Sequence, residues 1–382
     1  MKSKTLRILS YVLTALAAST LTLTIVFFSL KGGYTKLEQL EDLIESKFIG
    51  EADKTAMEDA AAKAMVDALG DRWSYYISAA EYGAYEEQMN NAYVGVGITV
   101  KEGVGGIEIT KVTDGGPAEE AGILAGDRIV AVDGTDVRER TVDEVSDLVR
   151  GEKNTEVELT VERDGKEQTV TVTRREIRTP VAAATMLEGN IGLVTIANFD
   201  ARCADETIAA IESLLEQGAE KLIFDVRYNP GGYKDELVEV LDYLLPEGPI
   251  FRSEYYDGTT EEDTSDAECL GVPMAVLVNG SSYSAAEFFA AALMEYDAAV
   301  VVGEQTCGKG YFQSTFRLKD GSAVGLSIGK YYTPKGVSLA GVGITPDAVV
   351  EVDSETASAI YAGTLDPMED PQILAAVAAL TE

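Results

Sequence analysis

From residue 191 onward, four β-branched runs alternate with helical stretches, and no other feature constrains the fold as strongly. The runs are IGLVTIANF, KLIFDVRYN, PMAVLVNG and AAVVVGE. Each reads as a mostly buried strand, with helices expected to start near Ala204, Tyr233 and Ser284 between them. Strand and helix in that order imply a layered βαβ core with mainly parallel strands. Residues 252–268 (RSEYYDGTTEEDTSDAE) are polar and acidic, and read as a mobile flap or loop.

Upstream the pattern is different. Between residues 93 and 176, YVGVGITV and GGIEITKV are short alternating strands, followed by a helix from Pro117 and a strand ending in an Asp-Gly turn. TVDEVSDLVRG is a second helix capped by Thr141, and VELTVERDGKEQTVTVTRREI is a hairpin turning at Asp164-Gly165. Residues 34–90 read as mainly helical, with Leu37, Leu40, Leu43 and Ile44 at helical spacing and an Ala-rich run from Ala56 to Leu69. The segment GDRWSYYIS breaks that pattern. A membrane stalk or a homodimer surface suits this region better than chemistry does.

The N-terminus reads as a membrane anchor. Lys2, Lys4 and Arg7 precede an uncharged run over residues 8–30, which ends at Lys31 and two glycines. About 20 apolar residues span a bilayer's hydrocarbon core. Basic residues ahead of the span stay cytoplasmic, which places the remainder of the chain outside. The competing reading is a cleaved signal peptide, whose apolar region is shorter, roughly 7–15 residues. Apolar sequence continues past the Ala-rich stretch that imitates a cleavage site, and this favours a retained anchor.

At 382 residues the chain has room for two or three domains, each with its own core. Its net charge of −34 leaves no basic face for nucleic acid. Cys203, Cys269 and Cys307 cannot all pair within one chain, and their spacing is not that of metal ligands. A Cys203–Cys269 disulfide is conceivable outside the cytoplasm, but buried free thiols are the expectation. No metal and no cofactor are implied.

Chemistry concentrates in residues 279–313, NGSSYSAAEFFAAAL…VVGEQTCGKGYFQ. The chain has no histidine, so a serine nucleophile here would need another base, and an amine is the obvious one. Ser284-Ala285-Ala286-Glu287 is a capping box, which is the bland reading of the serine. A strand–turn–helix junction nevertheless exposes the hydroxyl and aims helix amides at whatever lies beside it. Lys309 sits between two glycines. Its bland reading is a solvated loop residue; a base would need desolvation, since free lysine titrates at about 10.4. Gln313 is placed to hold the amine through its amide oxygen.

The combination resembles the C-terminal processing peptidases, the tail-specific proteases. Motifs of the type S-A-x-E and G-E-x-T-x-G-K-G-x-x-Q stand at residues 284–287 and 303–313. LIFDVRYNPGGYKDELVEVLDYLL (222–245) resembles the family's D-x-R-x-N-P-G-G segment, and KYYTPKGVSLAGVGITPD (330–347) its closing motif. The segment at 93–176 resembles a PDZ domain throughout, with GPAxxAGILxGDxIxxVDG as signature. The resemblance covers residues 35 to 350 and implies an α/β protease core with a βαβ-layered, crotonase- or Clp-like sheet. A PDZ β-sandwich is inserted into it, behind a helical region and one transmembrane helix. The divisions implied are an anchor at 1–33, a helical region at 34–90, the PDZ domain at 91–176 and a Ser-Lys protease core at 177–382.

By that resemblance Ser284 is the nucleophile, Lys309 the general base and Gln313 its orienter. The oxyanion donors map to the amide of Ala285 and to one within Pro230-Gly231-Gly232, Gly231 being preferred over Gly232. The PDZ groove, formed by Tyr93, Val94, Gly95, Val96, Gly97 and Ile98, would hold the carboxylate of a peptide terminus on backbone amides. Substrates would be proteins or peptides with apolar C-termini. Two departures stand out: Cys307 replaces an expected aromatic, and GDRWSYYIS replaces a D-P-H-S type segment. The alternative reading is an inactive protease fold whose PDZ domain tethers partner C-termini at the membrane.

Overall fold

The computed structural model describes residues 11, 13–22 and 35–381. Most of the predicted span at residues 8–30 lies outside these. Among the described residues no helix is long and apolar enough to cross a membrane.

Contacts divide the chain into two units, residues 1–65 and residues 66–382. In the first, helix Lys36–Lys47 starts from a capping box in which Thr35 and Glu38 exchange backbone bonds. Leu37, Leu40 and Leu43 lie exposed along it. A second helix, Lys54–Asp67, runs across the boundary of the unit.

Within the second unit, the core is a six-stranded sheet on which helices pack from both sides. Its elements are β1 (Ala182–Leu187), β2 (Ile191–Ile196), α1 (Cys203–Glu216), β3 (Lys221–Asp225) and α2 (Lys234–Leu244). These are followed by β4 (Gly248–Tyr255), β5 (Thr260–Ser265), β6 (Met274–Val278), α3 (Ala285–Glu295), β7 (Ala299–Gly303), β8 (Tyr311–Arg317), β9 (Ala323–Tyr332), β10 (Ala348–Val349) and, at the C-terminal end, α4 (Pro371–Thr381). The sheet order is β1-β2-β3-β6-β7-β10. Only β1 is antiparallel to its neighbour; the other strands run parallel.

Strand alternation explains why these runs are apolar throughout. Leu222 and Phe224 of β3 face the cluster built with α1, α2 and α3, while Ile223 faces the opposite cluster with Ile373 and Ala376 of α4. Helix α3 is buried nearly all round, from Ala285 to Leu293. Its two phenylalanines pack against Phe199, Phe224 and Phe251.

A second, antiparallel sheet joins strand Tyr75–Ile77 to β9, β4 and β5, with β8 on the other edge of β9. Two expectations are corrected here. Residues 252–268 form most of the β4–β5 hairpin, in which Arg252 pairs with Glu262 and Tyr255 with Glu261, so cross-strand contacts rather than sheer polarity decide the segment. Residues 71–90 are not stalk: Tyr75–Ile77 is paired to β9 and helix Tyr82–Met89 follows it.

The inserted module is a six-stranded sheet of residues 98–173 around its own apolar cluster, from Val96 to Val172. It enters and leaves through a two-stranded ribbon, Ala92–Gly95 against Arg175–Arg178. The Asp164-Gly165 turn has both residues at positive φ (52° and 71°), as a two-residue hairpin requires. Cysteines 203, 269 and 307 are all free; Cys203 is buried, but Cys269 is exposed, correcting the expectation of uniformly buried thiols.

Candidate active site

Three connections that leave the C-terminal ends of parallel strands converge on one place. The first follows β3. Arg227 is buried and bonds Asp225 at 2.9 and 2.6 Å, then reaches Asp370 at 2.7 Å and Gln372 at 2.9 Å, which anchors the turn to the start of α4. Asn229 is fully buried. Its amide nitrogen donates to Ile196 O (2.8 Å), and its oxygen accepts Gly231 N–H (2.8 Å).

The second connection follows β6 and carries the serine. Ser282 Oγ donates to Val226 O at 2.7 Å, Asn279 Oδ1 accepts Tyr228 N–H at 3.1 Å, and Tyr283 N–H bonds Asn229 O at 3.2 Å. The first two turns are thus stitched together before the helix begins. Ser284 stands at the N-cap of α3 with φ 58° and ψ −126°, a strained conformation for a residue with a Cβ. The Glu287 carboxylate accepts the Ser284 N–H at 3.1 Å.

The third connection, between β7 and β8, carries the lysine. Glu287 reaches across to it as well. One carboxylate oxygen accepts Thr306 Oγ1 (2.5 Å) and Gly308 N–H (2.7 Å); the other accepts Lys309 N–H (2.8 Å) in addition to Ser284 N–H. A single buried carboxylate therefore fixes the serine turn against the lysine turn. Burial raises the Glu287 pKa, and these four donors oppose that rise. Cys307 N–H on Ser282 O, at 3.3 Å, is a further tie between the two turns.

Lys309 reaches back to the turn that precedes strand Tyr75–Ile77. Its Nζ lies 4.8 Å from the Trp73 ring centroid and 5.7 Å from that of Tyr283. The Arg72 guanidinium also stacks on Trp73, at 4.2 Å, and donates to Cys307 Sγ at 3.4 Å. Asp71 holds this turn by accepting Trp73 N–H (3.1 Å) and Ser74 Oγ (2.7 Å). Burial lowers the Lys309 pKa from 10.5, and the Cys307, Asp71 and Glu287 charges only partly restore it. Among the described residues Nζ makes no hydrogen bond or ion pair, and its contacts are with the two aromatic rings.

Ser284, Lys309, Gln313, Gly231 and Gly232 all line one cleft of about 720 Å³. Gln313 does not bond the lysine here; its amide nitrogen donates to Ser327 Oγ at 2.9 Å and Tyr311 O at 3.3 Å. The two glycine amides expected as oxyanion donors differ in their bonding. Gly231 N–H is taken by Asn229, while Gly232 N–H has no partner among the described residues. Ala285 opens α3, where an amide has no carbonyl within its own helix to bond. Gly231 also sets the spacing, since a Cβ there would lie 2.7 Å from Ser284 Cβ and 2.9 Å from Ala285 N.

In the inserted module, Tyr93, Gly95, Val96, Gly97 and Ile98 line a groove of about 240 Å³, walled on its far side by Val145, Val149 and Arg150. Val94 departs from the expectation. It lines a neighbouring cleft instead, and its amide donates to Glu87 Oε1 at 3.1 Å. No group of three or more Cys, Asp or Glu gathers at metal-binding distance among the described residues. Sequence reading missed Trp73, Tyr283 and the bridging reach of Glu287. Only Glu287 carried a signal, as the fourth residue of its motif.

Residues 190–350 match peptidase family S41, and residues 108–163 match a PDZ domain. The chain is similar to the carboxy-terminal processing protease CtpA of Bacillus subtilis (strain 168), at 33% identity over 322 residues, covering 84% of this chain and 69% of that protein. It is also 32% identical over 320 residues to a CtpA-like serine protease of Staphylococcus aureus (strain COL), covering 83% of this chain. That match takes in 64% of the staphylococcal protein, just under two thirds of its length. Among solved structures the fold is similar to that of a Bacteroides fragilis NCTC 9343 chain placed with the S41 proteases. The TM-score is 0.54 at 18% identity, covering 87% of this chain and 92% of that one.

Proposed function

This chain belongs to peptidase family S41, the family of carboxy-terminal processing proteases, and we propose that it is a membrane-anchored, extracytoplasmic serine endopeptidase acting near substrate C-termini. The observation that carries the reading is the shared cleft of Ser284, Lys309 and Gln313, with Glu287 clamping the serine and lysine turns together. Anchoring rests on Lys2, Lys4 and Arg7 ahead of the uncharged run at residues 8–30.

The chemistry is acyl transfer. Lys309, whose pKa burial lowers, in its neutral form takes the Ser284 hydroxyl proton as Oγ attacks a peptide carbonyl. The amides of Gly232 and Ala285 take the developing negative charge. The protonated lysine then gives its proton to the departing amine, leaving an acyl-enzyme on Ser284. Water, activated by the same amine, releases it. Before the first step Nζ must swing from the Trp73 face toward the serine, and Gln313 must turn its amide oxygen to the lysine.

The PDZ groove recognises apolar substrate tails, and its ribbon attachment allows it to gate the cleft by a shift of population. The dyad is tested with Ser284→Ala and Lys309→Ala, each assayed on a protein with an unfolded apolar tail. Both are expected to lose cleavage while retaining the folded state. Full cleavage by either variant sinks the Ser-Lys assignment. A wild-type chain that binds tails through its PDZ domain yet cleaves none would instead be a tethering adaptor.

A further inference from the structure

We infer that the cleft contains a subsite for a basic side chain of the substrate, selected by Asp200; the inference rests on the cleft being the peptide-binding one proposed above. Asp200 follows β2, is only 3% exposed and lines the same cleft as Ser284. Its backbone is fixed: its N–H donates to Asn198 Oδ1 at 2.9 Å, and its carbonyl accepts Cys203 N–H at 3.1 Å. The preceding residue, Phe199, is zipped to the oxyanion turn, with Phe199 N–H on Gly231 O and Tyr233 N–H on Phe199 O, both at 2.7 Å. The carboxyl is therefore held beside the reacting centre.

Among the described residues that carboxyl has no counterpart. Asp200 Oδ1 is buried without a hydrogen bond, and no cation pairs with it. Arg202 is engaged elsewhere, by Glu206 and by the carbonyls of Asn91 (2.8 Å) and Thr179 (2.9 Å). Every other titratable neighbour is negative or neutral. Glu236 on α2 accepts the amides of Arg202 and Ala204, the Cys203 thiol is held protonated by burial, and Tyr85, Tyr233 and Tyr283 keep their phenols. Burial, and then the Glu236 charge, push the Asp200 carboxyl up to about 7. An unpartnered polar group at this depth costs free energy that an arriving partner would relieve.

The walls say which partner. Tyr75, Tyr82, Tyr85, Tyr233 and Tyr283 line the cleft, Glu86 adds a second carboxylate, and Lys309 is its one cation. Aromatic faces attract cations, and Arg317 already stacks over Tyr82 at 4.4 Å. A lysine or arginine side chain can lay its apolar stem along such walls and bring its charge to the carboxyl. An acidic side chain would meet like charge from Asp200, Glu86 and Glu236.

The test uses C-terminally amidated peptides, so that the PDZ carboxylate site takes no part, and the full chain carrying Ser284→Ala, so that binding is read without cleavage. Lysine is walked through the positions flanking the scissile bond, each peptide paired with its norleucine twin, and dissociation constants are measured by calorimetry. At one position lysine is expected to bind about tenfold tighter than norleucine at pH 8 and less than about twofold tighter at pH 5.5, where the carboxyl is protonated. Adding Asp200→Asn should bring the pH 8 ratio to about one. Equal binding of the twins at every position, absence of any binding, or a lysine preference that persists with Asp200→Asn overturns the subsite. Failure of the Ser-Lys reading would show separately, as cleavage by the Ser284→Ala chain.

Discussion

Lys309 shows how much a single side chain's setting can decide. Burial favours its neutral form, while cation–π contacts of Nζ with Trp73 and Tyr283 favour the charged one. Its pKa lies below 10.5, so kcat/KM should rise with pH and level off at an apparent pKa under that value; a limb at or above 10.5 would refute the desolvation argument. The same depression links to stability. Between the lowered folded value and 10.5 the unfolded chain binds the additional proton, so stability should rise with pH across that window. Glu287 is the other decisive residue. Glu287→Gln sets an amide N–H₂ against donors that now face carboxylate, and should cost about 2–4 kcal/mol in a denaturant titration. Loosening both turns should lower kcat/KM by about a hundredfold.

Turns, more than helices or strands, carry the site. The NPGG turn is legible in sequence because two adjacent glycines announce unusual backbone, but the reason for each glycine comes from its surroundings. Gly232 has φ 154°, and a Cβ there would lie 2.1 Å from Phe199 C and 2.4 Å from its oxygen. Gly232→Ala should therefore destabilise by about 3 kcal/mol or more. Gly115 offers the comparison: φ is 65° but nothing lies within 4 Å of its added Cβ, so Gly115→Ala should cost only about 1–2 kcal/mol. Comparable thermal midpoints for the two variants would show that backbone conformation, not the Phe199 contact, sets the cost. The same dependence on neighbours explains the β4–β5 hairpin, whose acidic sequence reads as a loop until Arg252 and Lys234 are placed beside it.

At the scale of the molecule, the ribbon of Ala92–Gly95 and Arg175–Arg178 brings both ends of the PDZ insertion together. Replacing residues 97–173 by a short turn should therefore leave the sheet and its two apolar clusters folded. If the PDZ domain gates the cleft, that deletion changes the hydrolysis rate of amidated peptides and the preference among protein tails. A deletion that alters neither removes the gating proposal. Arg202 and Asn91 sit where ribbon and core meet, joined by Arg202 Nη2 on Asn91 O at 2.8 Å, which is where such coupling would be felt.

By itself the sequence determined the parallel core, the inserted module and the positions of Ser284, Lys309 and the NPGG turn, because strand period, turn glycines and motif spacing are local properties. Tertiary structure decided which groups share the site. Trp73 reaches Lys309 from 236 positions earlier in the chain, Glu287 holds residues 19 to 22 positions later, and Asp200 stands unpaired beside a turn 31 residues away. It also left the Gly232 amide unbonded among the described residues, while Asn229 takes that of Gly231. Distances and free donors of this kind arise only when separate connections meet at one end of a sheet, and no local pattern encodes that meeting.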